Sequence, residues 1–232
     1  MKSNIIFFDF ETTGLNLFHD KIIQFCFYNL GTNEIYSNYV CPERMISLEA
    51  TEKTHGLTNL DVDSYPTFEK QYPKIKKFIG KDAFLIGHNI HQFDKNIFGF
   101  ELQRFGKKFP PNWKFIDTLS LARYFLPHLK SHKQDALREY YEISNHNAHL
   151  ANKDVLDLYL IFEKMVGDTP IEELYAISED SRDRMPFGEY KGRYIKDLKL
   201  KYLKKQYIYG KITEEKNFDL VRKIREIHVL GI

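Results

Sequence analysis

The sequence predicts an α/β fold: a mixed sheet flanked by helices, followed by a small basic C-terminal module. Three observations carry this. Three aromatic and β-branched strands come first, at Ile5–Phe10, Lys21–Leu30 and Glu34–Cys41. Helical and strand patterns then alternate as far as Met165, the signature of helices packed on a sheet. An acidic, Pro-containing stretch finally separates this region from a remainder rich in Lys and Tyr.

The elements follow in order. Ile5–Phe10 is an apolar strand interrupted by Asp9. Lys21–Leu30 and Glu34–Cys41 read as an antiparallel hairpin about Gly31-Thr32-Asn33. Ser47–Thr54 reads as a short helix. Thr67–Ile79 carries Phe68, Tyr72, Ile75, Phe78 and Ile79 at helical spacing. Ala83–Gly87 is a buried strand and Asn96–Phe105 a helix. Lys114–Asp117 is a strand, and Ser120–Phe125 and Ala136–Tyr141 are helices. Ala148–Met165 is a long amphipathic helix with Leu150, Val155, Leu158, Ile161, Phe162 and Met165 on its apolar face. The expected organisation is a main domain over 1–167, an acidic linker over 168–184 and a small basic module over 185–232.

Composition narrows the classes. Of 232 residues 43% are apolar and 15% aromatic, ample for a packed core and against disorder. The two cysteines, Cys26 and Cys41, lie in strands and form no Cys-x-x-Cys pair. We expect reduced thiols and a cytoplasmic protein. The opening Met1-Lys2-Ser3-Asn4 does not read as a signal peptide, and no apolar run reaches membrane-helix length. Net charge is only +2, but its distribution is uneven: nine Lys/Arg against three acids over Lys70–Lys108, and eight against two over Met185–Lys211. Local basic excess suits a polyanionic partner, although solvated Lys-rich faces are common.

Chemistry concentrates in three places. In Phe8-Asp9-Phe10-Glu11 two acids sit two apart in an apolar strand, so both carboxylates share one face. Adjacent ionised acids are costly to bury unless a cation compensates them, which points to a metal site; the alternative is an edge strand with its polar face in water. In His88-Asn89-Ile90-His91-Gln92-Phe93-Asp94 a strand gives way to a helix, and Asp94 alone would read as a helix cap. In His149-x-Ala151-x-x-Asp154 the histidine is five residues from the acid, about 140° away on a regular helix, so it belongs in the preceding loop. A lone histidine is more often structural than catalytic. His146-x-Ala148 repeats the His-x-Ala pattern, but only His149 stands five residues before Asp154.

Together, Phe8-Asp9-Phe10-Glu11-Thr12-Thr13-Gly14-Leu15, His88-Asn89 with Phe93-Asp94, and His149-x-Ala151-x-x-Asp154 resemble the motifs of the DEDD superfamily of 3′–5′ exonucleases, in its histidine-containing (DEDDh) branch. The resemblance spans residues 4 to 165 and implies a ribonuclease-H-like fold. It further implies two divalent ions, Mg²⁺ or Mn²⁺, held by Asp9, Glu11, Asp94 and Asp154, with His149 as general base. Asp9 would bridge both ions, Glu11 and Asp154 would complete the site of the attacking water, and Asp94 would support the second ion through water. Carboxylates suit such hard cations, and no Cys/His set for zinc is present. Phe10, Thr12, Thr13, Gly14, Leu15, His55, Asn89 and Phe93 match substrate-binding positions. Ile90 departs from the small residue common in the family, which bears on local packing. Asp117 reads as a helix cap.

The C-terminal segment Pro186-Phe187-Gly188-Glu189-Tyr190-Lys191-Gly192-Arg193-Tyr194 reads as an aromatic, basic hairpin, followed by helical patterns at Leu198–Tyr209 and Phe218–Ile227. It resembles the tail of one DNA exonuclease of the same branch. Aromatic faces interleaved with cations suit single-stranded nucleic acid, through Tyr190, Lys191, Arg193, Lys204 and Lys205. The expected function is a 3′–5′ exodeoxyribonuclease in DNA repair, acting on single strands or the 3′ ends of duplexes. An exoribonuclease, a polymerase-associated proofreading subunit and a silent nucleic-acid adaptor stay open as alternatives, and no membrane partner is expected.

Overall fold

The structure, a computed structural model, describes residues 4–143 and 151–228, which divide into two compact units, 1–169 and 170–232. The first is built on a five-stranded sheet of order β3-β2-β1-β4-β5. The strands are β1 (Asn4–Thr12), β2 (Ile22–Asn29), β3 (Glu34–Tyr39), β4 (Ala83–Gly87) and β5 (Trp113–Asp117). β1 pairs antiparallel with β2, opposing Asp9 to Cys26 and Glu11 to Gln24, and parallel with β4. The parallel ladder ends at Phe7↔Ile86, so Asp9 and Glu11 extend past it. A register shift between Glu11 and Thr12 ends the regular strand.

Alternation along β1 separates two faces. Phe8 and Phe10 lie in the core: Phe8 stacks on Phe27 with centroids 6.1 Å apart, and Phe10 meets Phe98 edge-on at 5.4 Å. The helices of this unit are α1 (Leu48–Ala50), α2 (Asn59–Val62), α3 (Phe68–Ile79), α4 (Asp94–Arg104), α5 (Thr118–Phe125), α6 (Gln134–Tyr140) and α7 (Ala151–Val166). Phe98 of α4 also packs on Phe68 of α3, which places these two helices on the Phe8/Phe10 side. On the opposite side Phe7 meets Tyr159 and Phe162 of α7 edge-on at 5.5 and 5.2 Å. The Asp9/Glu11 face is therefore the face that α7 covers.

Among the described residues the expected strands and helices of this unit are present; Ala148–Leu150 of the last expected helix lie outside them, α2 is an unexpected addition, and Ser47–Thr54 differs locally. The Ser47 hydroxyl caps α1 by accepting from Ala50 N at 3.1 Å, and the chain then widens into a π-helical turn over Thr51–His55. Gly56, with φ 72°, closes that turn through its N–H to Thr51 O at 3.0 Å. The left-handed conformation is why glycine stands there. Both cysteines are free, Cys26 buried and Cys41 half-buried.

The second unit contains α8 (Ile171–Arg182), a 3₁₀ turn (Ile195–Asp197), α9 (Leu200–Ile208) and α10 (Glu214–His228), which is kinked at Asn217. The acidic stretch expected as a linker is thus largely helix α8 within this unit. Its Pro and early acids are helix-start signals, since Pro lacks an N–H that the first turn leaves unbonded and carboxylates favour the helix N-terminus. The expected hairpin is a tight reversal with one bridge, Arg184↔Tyr194, pinned by Met185 N to Arg193 O and Gly192 N to Met185 O, both 2.8 Å. Met185, Ile195, Leu198, Leu203, Ile212, Leu220, Val221 and Ile224 form this unit's own apolar core.

Candidate active site

Carboxylate oxygens of Asp9, Glu11 and Asp154 all lie within 4.8 Å of one another. β1 supplies the first two on one face. Asp154 comes from α7, about one turn before Leu158, and Leu158, Ile161 and Phe162 are buried. The same amphipathic face that anchors α7 on the sheet delivers Asp154 to β1. Gln134 of α6 holds the backbone there, donating from Nε2 to Asp154 O at 2.8 Å.

Asp94 joins the acids from the first turn of α4. The cap position is Phe93, which makes no side-chain cap bond, so the cap reading of Asp94 does not hold. Its side chain is buried, and burial, followed by the charge of Asp9, raises its pKa well above the usual carboxylate range. Burial and then the Asp154 charge push Asp9 up to about 7. Burial and then Asp9 push Glu11 up to about 8. Crowded anions in a low-dielectric site require protons or cations, and the nearest guanidinium does little: Arg138 Nη1 stands 3.9 Å from Asp154 Oδ1 but 3.1 Å from Asp157.

The loop before α4 is fixed from below. Asp117 caps α5 by accepting from Leu119 N at 2.9 Å, as expected, and also accepts from Asn89 N at 2.7 Å. Asn89 is exposed at φ 60° and Phe93 half-buried. A Cβ at Gly87 would lie 2.3 Å from Ile90 Cγ2, so the fully buried Ile90 fills the space that glycine leaves. His88 Nδ1 lies 2.9 Å from Thr118 Oγ1, and burial lowers its pKa to about 4.

Beside Glu11 opens a cavity of about 250 Å³, lined by Thr12, Gly14, Leu15, Ala50 and His55 among others. Leu15 is 78% exposed at this cavity. His55 Nδ1 accepts from Leu57 N at 3.0 Å, so Nε2 carries the proton and donates to Thr12 O at 3.1 Å. Burial lowers the His55 pKa, consistent with this neutral tautomer. The side chains of Thr12 and Thr13 are engaged internally: Thr12 Oγ1 donates to Gly14 O at 2.8 Å and Thr13 Oγ1 to Asp20 at 2.7 Å. Phe10, expected to bind substrate, has its ring in the core instead, because alternation points it away from Asp9 and Glu11.

Two supporting residues escaped the sequence reading. Asp20 accepts from Thr13 and from Asn16 N at 2.8 Å, and a Cβ on Gly14 would lie 2.6 Å from its Oδ2. Arg138 is buried between Asp135, Asp154 and Asp157. The i,i+3 spacing of Asp135 to Arg138 is visible in sequence, but the pairing with α7 is not. His149 and His146 lie outside the described residues. Tyr190, Lys191, Arg193, Lys204 and Lys205 belong to the second unit, where the four cations are exposed and Tyr190 is half-buried. No helix among the described residues is long and apolar enough to cross a membrane.

A mixed sheet with acids at the end of its central strand, flanked by helices on both faces, is the ribonuclease-H-like nuclease architecture. The RNase_T exonuclease family model matches residues 6–162. The chain belongs to this family of DEDD-type 3′–5′ exonucleases and is an enzyme. It is 30% identical over 188 residues to a PolC-type DNA polymerase III of Latilactobacillus sakei, covering 80% of this chain and 13% of that protein. It is 30% identical over 182 residues to the 3′-5′ exonuclease DinG of Staphylococcus haemolyticus, covering 74% of this chain and 20% of the relative. The chain thus spans a small part of these relatives. Among solved structures, exonuclease X in complex with 5′-overhanging duplex DNA superposes with a TM-score of 0.56 at 21% identity, covering 75% of this chain and 99% of the other. A zinc-bound complex of E. coli ExoI with single-stranded DNA gives 0.64 at 21% identity, covering 78% and 44%.

Proposed function

We propose that this chain is a 3′–5′ exodeoxyribonuclease that hydrolyses the terminal phosphodiester of DNA and releases nucleoside 5′-monophosphates. The carrying observation is the Asp9–Glu11–Asp154 cluster, with Asp94 buried beside it. An all-oxygen donor set fits Mg²⁺ or Mn²⁺, which the four acids would hold as a pair. Bound there, such ions supply charge stabilisation at the phosphate and lower the pKa of water.

The chain's own residues do the rest. The cavity beside Glu11 receives the terminal nucleoside, with Leu15 at its apolar wall and His55 holding Thr12 in place. His149 takes the proton from the attacking water. That water bonds to phosphorus, the P–O3′ bond breaks with its electron pair going to O3′, and the departing oxygen takes a proton from solvent to become a new 3′-hydroxyl. A neutral imidazole with a pKa near 6.5 suits that proton transfer. DNA is favoured as substrate because exonuclease X and ExoI were solved on DNA and the PolC-type relatives are DNA polymerases. The reading includes DNA repair as its setting. A second reading, a proofreading exonuclease associated with a polymerase, is favoured by the PolC-type matches alone.

End-labelled single-stranded DNA, duplex DNA and RNA, each incubated with Mn²⁺, Mg²⁺ or EDTA, test the proposal. Stepwise shortening of DNA from its 3′ end, abolished by EDTA, is expected. Equal cleavage in EDTA would refute the metal assignment, and faster shortening of RNA would refute the DNA assignment.

A further inference from the structure

The second unit segregates its charge. Three acids at the end of α8 are used internally: Glu179 pairs with Arg182 at 2.6 Å, Asp180 with Arg184 at 2.7 Å and the C-cap Asp183 with Lys223 at 2.7 Å. The eight cations from Lys191 to Lys211 enter no ion pair among the described residues. Cations held clear of carboxylates are available to an external anion.

Aromatic rings stand among them in a defined order. Tyr190, in the reversal between Gly188 and Gly192, meets Tyr202 of α9 edge-on with centroids 4.6 Å apart. The Arg193 guanidinium lies 5.5 Å from the Tyr190 centroid. Tyr202, Lys205 and Tyr209 follow at i, i+3 and i+7, so they share one face of α9 and its C-cap. Lys205 Nζ lies 5.9 Å from the Tyr209 ring, which is 68% exposed. The order Arg193, Tyr190, Tyr202, Lys205, Tyr209 sets a cation at either side of the Tyr190–Tyr202 pair and ends on a ring, and its helical part alone runs about 10 Å.

We infer that this track on the second unit binds single-stranded DNA, the cations neutralising phosphates and exposed Tyr209 stacking on a base. The choice of DNA rests on the function proposed above; the choice of a single strand rests on the rings, since bases within a duplex offer no free face. A simple polyanion would use the cations and ignore Tyr209.

The test is fluorescence anisotropy of fluorescein-labelled (dT)₂₀ with the full chain in EDTA, at several salt concentrations, for wild type, Arg193→Glu/Lys205→Glu and Tyr209→Ala. All three positions are exposed, and matching thermal midpoints show that the variants fold. The double charge reversal is expected to weaken binding at least tenfold and to flatten the salt slope by about 1.4, two single-strand contacts' worth. Tyr209→Ala is expected to weaken binding about fivefold or more with the slope unchanged. Wild-type affinity in either variant overturns the track, and tighter binding of (rU)₂₀ than of (dT)₂₀ overturns the DNA assignment. Because binding is read without metal, a chain that binds as expected but fails to shorten DNA with Mn²⁺ would sink the exonuclease reading and leave the track standing.

Discussion

Each unit buries acids, and the two do so in opposite ways. In the second unit Asp219, whose side chain is 6% exposed, receives Arg182 through both Nε at 2.9 Å and Nη2 at 2.8 Å. Arg222 adds a third contact at 3.0 Å. In the first unit carboxylate oxygens of Asp9, Glu11 and Asp154 lie within 4.8 Å of one another, the charge of Asp9 also bears on buried Asp94, and Arg138 Nη1 stands 3.9 Å from Asp154. A buried acid that is matched by its own fold is architecture. Acids crowded against one another instead have their pKa values pushed towards neutrality and favour an added cation.

The largest expected effect breaks the first side of this comparison. Asp9→Asn removes the acid central to the cluster and should lower exonuclease turnover by about a thousandfold or more, a modest share of an enzyme's total acceleration. Its metal-free stability should equal or exceed wild type, because the substitution relieves repulsion; turnover near wild type would refute the assignment. Asp219→Ala attacks the other side. It removes the bidentate partner of Arg182, leaving that buried guanidinium to Glu179 alone, and should cost about 3 kcal/mol in urea unfolding. A cost below about 1 kcal/mol would put that pair with ordinary surface bridges.

Titration sharpens the contrast. The folded-state pKa values of Asp9 and Glu11, about 7 and about 8, exceed their unfolded values, so the native protein binds more protons than the unfolded chain through this range. Stability in EDTA should therefore fall as pH rises from 5 to 8, by a few degrees in thermal midpoint, and Mn²⁺ should raise the midpoint more at pH 8 than at pH 5. A metal-free midpoint that climbs with pH would show these acids to be compensated after all. The smallest effect is Leu15→Ala. With 78% of this residue exposed, folding should be untouched while KM for a DNA 3′ end rises roughly threefold to tenfold, because a bound base would then cover less apolar surface. An unchanged KM would remove Leu15 from the substrate-binding residues.

Much of this was legible in residue order. The strand pattern, the spacing of Asp9 to Glu11 and the apolar period of Val155, Leu158, Ile161 and Phe162 are local properties, and local periodicity is what sequence expresses best. The misreadings have physical reasons too. Phe10 sits between two site acids in sequence, yet alternation turns its ring to the core. The acidic residues of 168–184 read as a linker, whereas Leu174 and Ser178 of α8 are buried and Arg182 locks onto Asp219. A helix whose stabilising partners lie elsewhere in the unit carries a weak signal of its own.

By itself the sequence determined which chemistry this protein owns: oxygen-rich acids on one side of a buried strand, and a Lys- and Tyr-rich C-terminal segment. Only the tertiary structure decided that Asp154, more than 140 residues along the chain, joins Asp9 and Glu11 within 4.8 Å while Asp219 is neutralised at home. Proximity between residues far apart in the chain is set by how faces pack, and packing is a property of the assembled core rather than of any one segment.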